Sequence, residues 1–409
     1  MPGPGYAFLG AEEKHNIAQV LDNWDLNRYA YDKPDFTSFV REFELSSQQL
    51  FHSPYSVAVN SGTSALLTGL AALGIGPGDE VIVPGYTFVA SIGSIIYSGA
   101  TPVLAEIDES LTLDPADVES RITAQTRAIM PVHMLGAPCD LAPLRDIARR
   151  HDLAIIEDVA QACGASYQGQ RLGTWGDVGA FSLNPFKVIC CGEGGFLLAS
   201  NERLYQRAYS FQDQGWFPLR TDTGQGDVLF GLNLRMSELA GAIACAQLGK
   251  LDAVITSVRE HKAQLASLIT QRDGVRRRVL HDPHGECGTL LVYVFDRVED
   301  AAAVAAALGT KTLVDSGRHY YGNMPQLGAL TGDGPNVAPF RAPGTETKHD
   351  YRRGSLPRTD EVLARSVAFS IGVSDQYLGA GFGITVRSTE AEVAHVAQQI
   401  NATMDGVLG

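Results

Sequence analysis

The sequence predicts an α/β fold, with a mainly parallel sheet forming a large domain and a smaller α+β domain following it. From residue 56 to about 200, short β-branched runs alternate with helix-length amphipathic segments, which is the rhythm of strand–helix–strand crossovers. Beyond about residue 255 that rhythm stops, and helices with few strands take its place. The size agrees: 409 residues, 45% hydrophobic and 19% charged, are enough for two cores.

Taken in order, 56–60 (SVAVN) reads as a strand, and 63–73 as a helix entered through a Ser-Gly step. The run 80–83 (EVIV) is a strand and 89–98 a helix. Strands are expected at 101–107, 127–132 and 153–156, with the helix 142–151 before the last of them. Strands at 179–182 and 195–199 complete the sheet, and one long apolar-faced helix is expected over 236–257. The remainder reads as a helix at 258–271, a strand at 289–295 and an alanine-rich helix at 300–308. A glycine- and proline-rich stretch at 322–347 then leads to 361–371 and a terminal helix at 390–404. The domains are accordingly set at 1–255, including the N-terminal segment, and 256–409.

Composition excludes several function classes. With 46 acidic and 32 basic residues the formal charge is −14, which argues against a protein held to nucleic acid by phosphate contacts. The six cysteines are too few for a disulfide scaffold and lack paired metal-ligand spacing, so reduced thiols in a cytoplasmic protein are expected. The opening residues show no basic segment followed by an apolar run, so no secretory signal is expected. No apolar stretch approaches the roughly 20 residues needed to cross a bilayer. His281, His284 and Cys287 (HDPHGEC) have ligand-like spacing but no fourth partner, and no metal is expected. The vicinal Cys190-Cys191 pair reads as packing, since a disulfide there would be strained.

Three features bear chemistry. Lys187 stands between Phe186 and Val188 in a loop between two expected strands. It either snorkels to solvent or offers an amine of lowered pKa suited to a Schiff base with a carbonyl cofactor. Asp158 ends the apolar run LAIIED at the crevice rim, where it either caps the next helix or pairs with a cationic ring nitrogen. Residues 60–65 (NSGTSA) put hydroxyls and a glycine where a strand hands over to a helix, which is either a simple cap or an anion site. The glycines at 74–78 (GIGPG) lead into a strand instead of opening a helix, so a dinucleotide fingerprint is not the explanation.

These features lie within longer motifs: SGTSAL at 61–66, GDEVIVPGYTFVAS at 78–91, PVHMLGAPCDLAPL at 131–144, IIEDVAQACGASYQG at 155–169, FSLNPFKVICCGEGG at 181–195 and LNLRMSELAGAIACAQLGKLD at 232–252. In content and order they resemble the fold-type I, pyridoxal 5'-phosphate (PLP)-dependent sugar aminotransferases of the DegT/StrS family. The segments 10–14, 28–31 (RYAY) and 319–324 (HYYGNM) are similar to a subset acting on nonulosonate-type sugars and cyclitols.

The resemblance implies a Schiff base on Lys187, with Asp158 at the pyridine nitrogen and Gln161 near the phenolic oxygen. Phe88 would stack on the ring, and Gly62, Thr63 and Ser182 would hold the phosphate. Asn233 would reach in from the partner subunit of a homodimer, and Arg28, Tyr31, His319 and Tyr320 would contact substrate. Some relatives carry histidine in place of the lysine and dehydrate their substrates, so Lys187 favours transamination. The Asn184-Pro-Phe186 turn is less typical of the family. The implied activity is transfer of an amino group from an amino acid, glutamate or glutamine, to a keto or aldehyde group of a sugar, cyclitol or related intermediate. The alternatives are PLP-dependent dehydration, decarboxylation or cyclisation on the same scaffold, and a non-catalytic regulator that binds PLP or sugar.

Overall fold

The computed structural model describes residues 3–29, 36, 38–217, 226–328, 330 and 349–409. Its centre is a seven-stranded sheet in the order Tyr55–Val59, Gly195–Ala199, Val178–Ser182, Ala154–Asp158, Thr126–Ile129, Glu80–Pro84 and Thr101–Ala105. Gly195–Ala199 runs antiparallel to both neighbours, while every other adjacent pair is parallel. The sheet is thus mainly parallel, as expected. Both faces are covered, which is why Val81, Ile82 and Val83 are all buried where a half-exposed strand would alternate.

On one face Phe181 and Phe196 stack with centroids 4.2 Å apart, and Phe51 and Phe43 pack against them. These come from neighbouring strands and from the helix Phe39–Phe51, so one aromatic cluster ties the sheet to the N-terminal helices. Gly195 is paired with both Val59 and Ser182. A Cβ there would stand 2.6 Å from the Phe181 and Ser61 carbonyls, so only glycine lets the reversed strand pass.

A second sheet has the order Val275–Arg277, Leu290–Phe295, Ser366–Ile371 and Gly383–Ile384. The helices Val298–Ala307, Pro357–Ala364 and Glu390–Leu408 accompany it. The single helix expected over 236–257 is two, Glu238–Gly249 and Leu251–Leu268, bent by 55°. At the bend Lys250 donates to Glu13 at 2.7 and 2.9 Å and to the Phe8 carbonyl at 3.1 Å, which anchors the corner to the N-terminal segment. The boundary expected at 255/256 therefore falls inside the second of these helices. Most of the 322–347 stretch lies outside the described residues. Among the described residues, no single helix is long and apolar enough to cross a membrane.

Candidate active site

The carboxyl ends of the parallel strands open onto a cleft lined by Ser61, Gly62, Thr63, Phe88, Asp158, Gln161, Ser182 and Lys187. Four separate strand ends bring these together, which is where an open α/β sheet places its crevice.

Lys187 sits in the turn that joins Val178–Ser182 to Gly195–Ala199. Asn184 shapes that turn: its Oδ1 accepts from the Phe186 N–H at 3.0 Å and its carbonyl from the Lys187 N–H at 3.1 Å. The N-terminal segment backs the turn so closely that a Cβ on Gly3 would lie 2.7 Å from the Lys187 carbonyl oxygen. Burial holds the Lys187 ammonium below the ordinary lysine range, against the opposing pull of the Asp158 and Asp375 carboxylates.

Asp158 is buried at the end of its strand. Its Oδ1 accepts from the Ala160 N–H at 3.0 Å, and its Oδ2 from the Ser91 hydroxyl at 2.7 Å. Ser91 in turn meets the Thr87 hydroxyl at 2.6 Å. Neither hydroxyl was singled out from the sequence.

Ser61 caps the helix Gly62–Leu73, its hydroxyl accepting from the Ser64 N–H at 3.0 Å. A Cβ on Gly62 would lie 2.6 Å from the Ser182 Cβ, so the glycine lets the helix N-terminus and the strand end share one small space. Gln161 has its Oε1 occupied by the Leu135 N–H at 2.9 Å, which leaves its amide nitrogen as the donor end.

A second lobe of the cleft shares Gln161 and Lys187 and adds His319 and Asp375. Backbone pairing of Thr87 N–H with the His319 carbonyl at 2.8 Å sets His319 over Phe88, with ring centroids 5.2 Å apart. His319 donates from Nδ1 to the Tyr377 carbonyl at 2.9 Å, so Nε2 carries the lone pair. Burial, aided by the nearby Lys187 and Arg318 cations, pushes its pKa down to about 3.

Other expected contacts lie elsewhere. Tyr320, next in sequence to His319, turns away because its buried phenol donates to Asp360 Oδ1 at 2.7 Å. Arg28 is buried as the partner of Glu44 at 2.8 Å and does not line the cleft. Asn233 is exposed beside the uncovered side chains of Phe230 and Leu232. Tyr31 lies outside the described residues. His281, His284 and Cys287 are not gathered: His281 stands between Asp108 and Asp140 at 3.7 and 3.8 Å, whereas Cys287 is buried.

The cleft can therefore offer an amine of reduced basicity, a fixed carboxylate, a helix N-terminus with hydroxyls and a neutral imidazole. The sequence profile described as the DegT/DnrJ/EryC1/StrS aminotransferase family matches residues 11–365. The GDP-perosamine synthase of Caulobacter vibrioides is 42% identical over 222 residues, covering 52% of this chain and 57% of that one. The L-glutamine:2-deoxy-scyllo-inosose aminotransferase of Streptomyces kanamyceticus is 40% identical over 234 residues, 54% of either chain. These alignments span little more than half of each relative. The S. venezuelae DesV structure, solved in complex with a ketimine intermediate, superposes with a TM-score of 0.78 at 30% identity, covering 99% of both chains. The chain belongs to the DegT/DnrJ/EryC1/StrS family of PLP-dependent aminotransferases.

Proposed function

We propose that this chain is an aminotransferase that uses PLP to move an amino group from glutamate or glutamine to a keto or aldehyde carbon of a sugar or cyclitol. The carrying observation is that the Lys187 amine, its basicity reduced by burial, shares one cleft with the buried, hydrogen-bonded carboxylate of Asp158.

The cleft fits the cofactor in its parts. Gly62, Thr63 and Ser182 form an N-terminal helix cradle for a phosphate, which needs no basic side chain and so suits a chain of charge −14. Phe88 offers a flat apolar face for the ring, and the Gln161 amide a donor for its phenolic oxygen. Asp158, oriented by Ser91 and Ala160, is the partner for the ring nitrogen. When bound, PLP supplies the electron sink into which the donor's Cα–H bond can ionise.

The chain's own part is attachment, position and proton movement. The Lys187 amine would hold the cofactor through its aldehyde between turnovers; once displaced by the donor, it would be the base for the donor's Cα proton and the acid that delivers that proton to the cofactor carbon on the other side of the linking nitrogen. Reduced basicity suits this role, because an amine kept fully protonated accepts nothing. His319, neutral and with Nε2 as acceptor, faces the same space and is the residue placed to receive a hydroxyl of the acceptor.

The working form is a homodimer in the cytoplasm. The exposed run with Val228, Phe230 and Leu232 supports it, since it presents apolar side chains beside Asn233, the residue expected to complete a neighbour's site. Glutamine as donor is supported by the Streptomyces kanamyceticus relative's name.

Mixing the PLP-loaded chain with L-glutamine or L-glutamate tests the reading. The expected result is loss of the lysine-bound cofactor absorbance with release of one keto acid per chain, and its return when a keto-sugar or keto-cyclitol is added. No change with either donor would overturn transamination.

A further inference from the structure

A separate cavity of about 460 Å³ lies between the helix Leu251–Leu268 and the strands Val275–Arg277 and Leu290–Phe295. It shares no lining residue with the cleft around Lys187. Its wall carries Arg259, Lys262, Arg277 and Arg278 against a single carboxylate, Glu286, with His284 also in the lining. Such a concentration of positive charge runs against a chain whose net charge is −14.

The one carboxylate is already taken. Lys262 Nζ donates to Glu286 Oε1 and Oε2 at 2.5 and 2.7 Å, and Arg278 stands 3.6 Å from Oε2. The guanidinium groups are bonded instead to neutral carbonyls. Arg259 donates to Glu286 and Gly285 at 2.7 and 3.2 Å, Arg277 to Ala266 at 2.7 Å, and Arg278 to Met134 and Leu135 at 3.2 and 3.0 Å. A carbonyl satisfies a donor but does not neutralise a cation, so Lys262 and the buried Arg278 share the single countercharge of Glu286, while the half-buried Arg259 and the exposed Arg277 have none in the wall. Arg278 is only 5% exposed, and among the described residues its Nε has no partner. Lys262 reports the same excess: burial and the nearby Arg278 and Arg277 guanidinium groups push its ammonium down to about 8, despite Glu286.

We propose that this cavity binds a compact oxyanion of two or more negative charges, a phosphoryl or polycarboxylate metabolite, received by Arg259, Lys262, Arg277 and Arg278. Planar guanidinium forks match such oxygens in pairs, and an anion supplies the countercharge that the wall lacks. The position also gives the anion a contact route to the cleft. Arg278 holds the Met134 and Leu135 carbonyls, and the Leu135 N–H holds Gln161.

Calorimetric titration of the PLP-loaded chain at low ionic strength, with pyrophosphate and separately with citrate, tests this. Loading keeps the cofactor's own phosphate cradle occupied. The expected result is one saturable site per chain for at least one probe, weakened at least about tenfold in both Arg259→Gln and Arg277→Gln, with the cofactor absorbance retained. Binding of pyrophosphate alone or of citrate alone assigns the phosphoryl or the carboxylate class, and binding of both assigns their shared chemistry. If Arg259→Gln fails to fold, Arg277→Gln alone decides, because Arg277 is an exposed residue whose replacement leaves the core untouched. Absence of saturable binding with either probe, or affinity unchanged in the variants that fold, overturns the site. The measurement needs no turnover, so it stands apart from the aminotransferase reading.

Discussion

The Ser91 hydroxyl donates to Asp158 Oδ2 at 2.7 Å, although the two residues are 67 positions apart, Asp158 ending one strand and Ser91 lying in the helix that follows another. Ser91 lies in the first turn of the helix Val89–Tyr97, and Thr87, just before that helix, meets its hydroxyl. The pair therefore holds one oxygen of the carboxylate while the Ala160 N–H holds the other. Ser91→Ala should lower kcat about tenfold or more with little change in donor KM, since a hydrogen bond to a charged group contributes about 1.5–3 kcal/mol. Ser91→Thr should restore most of it. A loss confined to thermal stability, without the kcat effect, would show that Ser91 only packs.

Lys187→Ala should reduce transamination by about 10³-fold or more and leave no cofactor covalently held after borohydride reduction, as read by mass spectrometry. The pH dependence has a definite sign. Burial favours the neutral amine, and the Asp158 and Asp375 carboxylates favour the charged one. The rate at which cofactor-free chain captures PLP should therefore rise with pH to a midpoint below the ordinary lysine value of 10.5. Asp375→Asn removes one opposing charge and should move that midpoint lower still; movement upward would contradict the assignment.

His319 gives a stability prediction. Its pKa is pushed from 6.5 in the unfolded chain to about 3 in the folded one, so between those values the unfolded state binds the extra proton. The folded chain should thus lose stability as pH falls below 6.5, by up to a few kcal/mol. His319→Gln should flatten that part of the curve in urea melts at stepped pH. The same variant should raise the acceptor KM while leaving the donor half-reaction nearly intact.

Arg28 and Glu44 form a buried pair that links the N-terminal segment to the helix Phe39–Phe51, and Glu44 also accepts from the Ala58 N–H at 3.0 Å. Breaking such a pair leaves a desolvated charge, so Glu44→Gln should cost about 3 kcal/mol or more. A matching fall in the unfolding midpoint with kcat/KM intact would mark the pair as structural.

The residues legible in the sequence are those whose local context is itself unusual. Lys187 is a charge within an apolar run, and Asp158 is a carboxylate ending one; both are visible without knowing the fold. Ser91 is not, because a serine at the start of a helix reads as a cap and its partner is distant in the chain. The family resemblance implies a substrate contact for Tyr320 as for His319, but Tyr320 stands between two short 3-10 turns, and its hydroxyl goes to Asp360, 40 residues later. The bend at Lys250 was hidden for a related reason. Apolar periodicity continues through both helices, and the anchor that sets the corner, Glu13, lies more than 200 residues earlier.

Gly62 offers the sharpest test of the phosphate cradle. A Cβ there would meet the Ser182 Cβ at 2.6 Å and its Oγ at 3.0 Å, closer than such atoms approach, so Gly62→Ala must push apart the helix N-terminus and the strand end. Both supply proposed phosphate contacts, and the hydroxyl of Ser182 is displaced along with the backbone amides of the first turn. Fluorescence titration of the cofactor-free variant should show PLP affinity reduced at least about tenfold, equivalent to roughly 1.4 kcal/mol. Ser182→Ala removes one hydroxyl without the clash, so its loss should be smaller. Unchanged affinity in a folded Gly62→Ala chain would move the phosphate away from this helix.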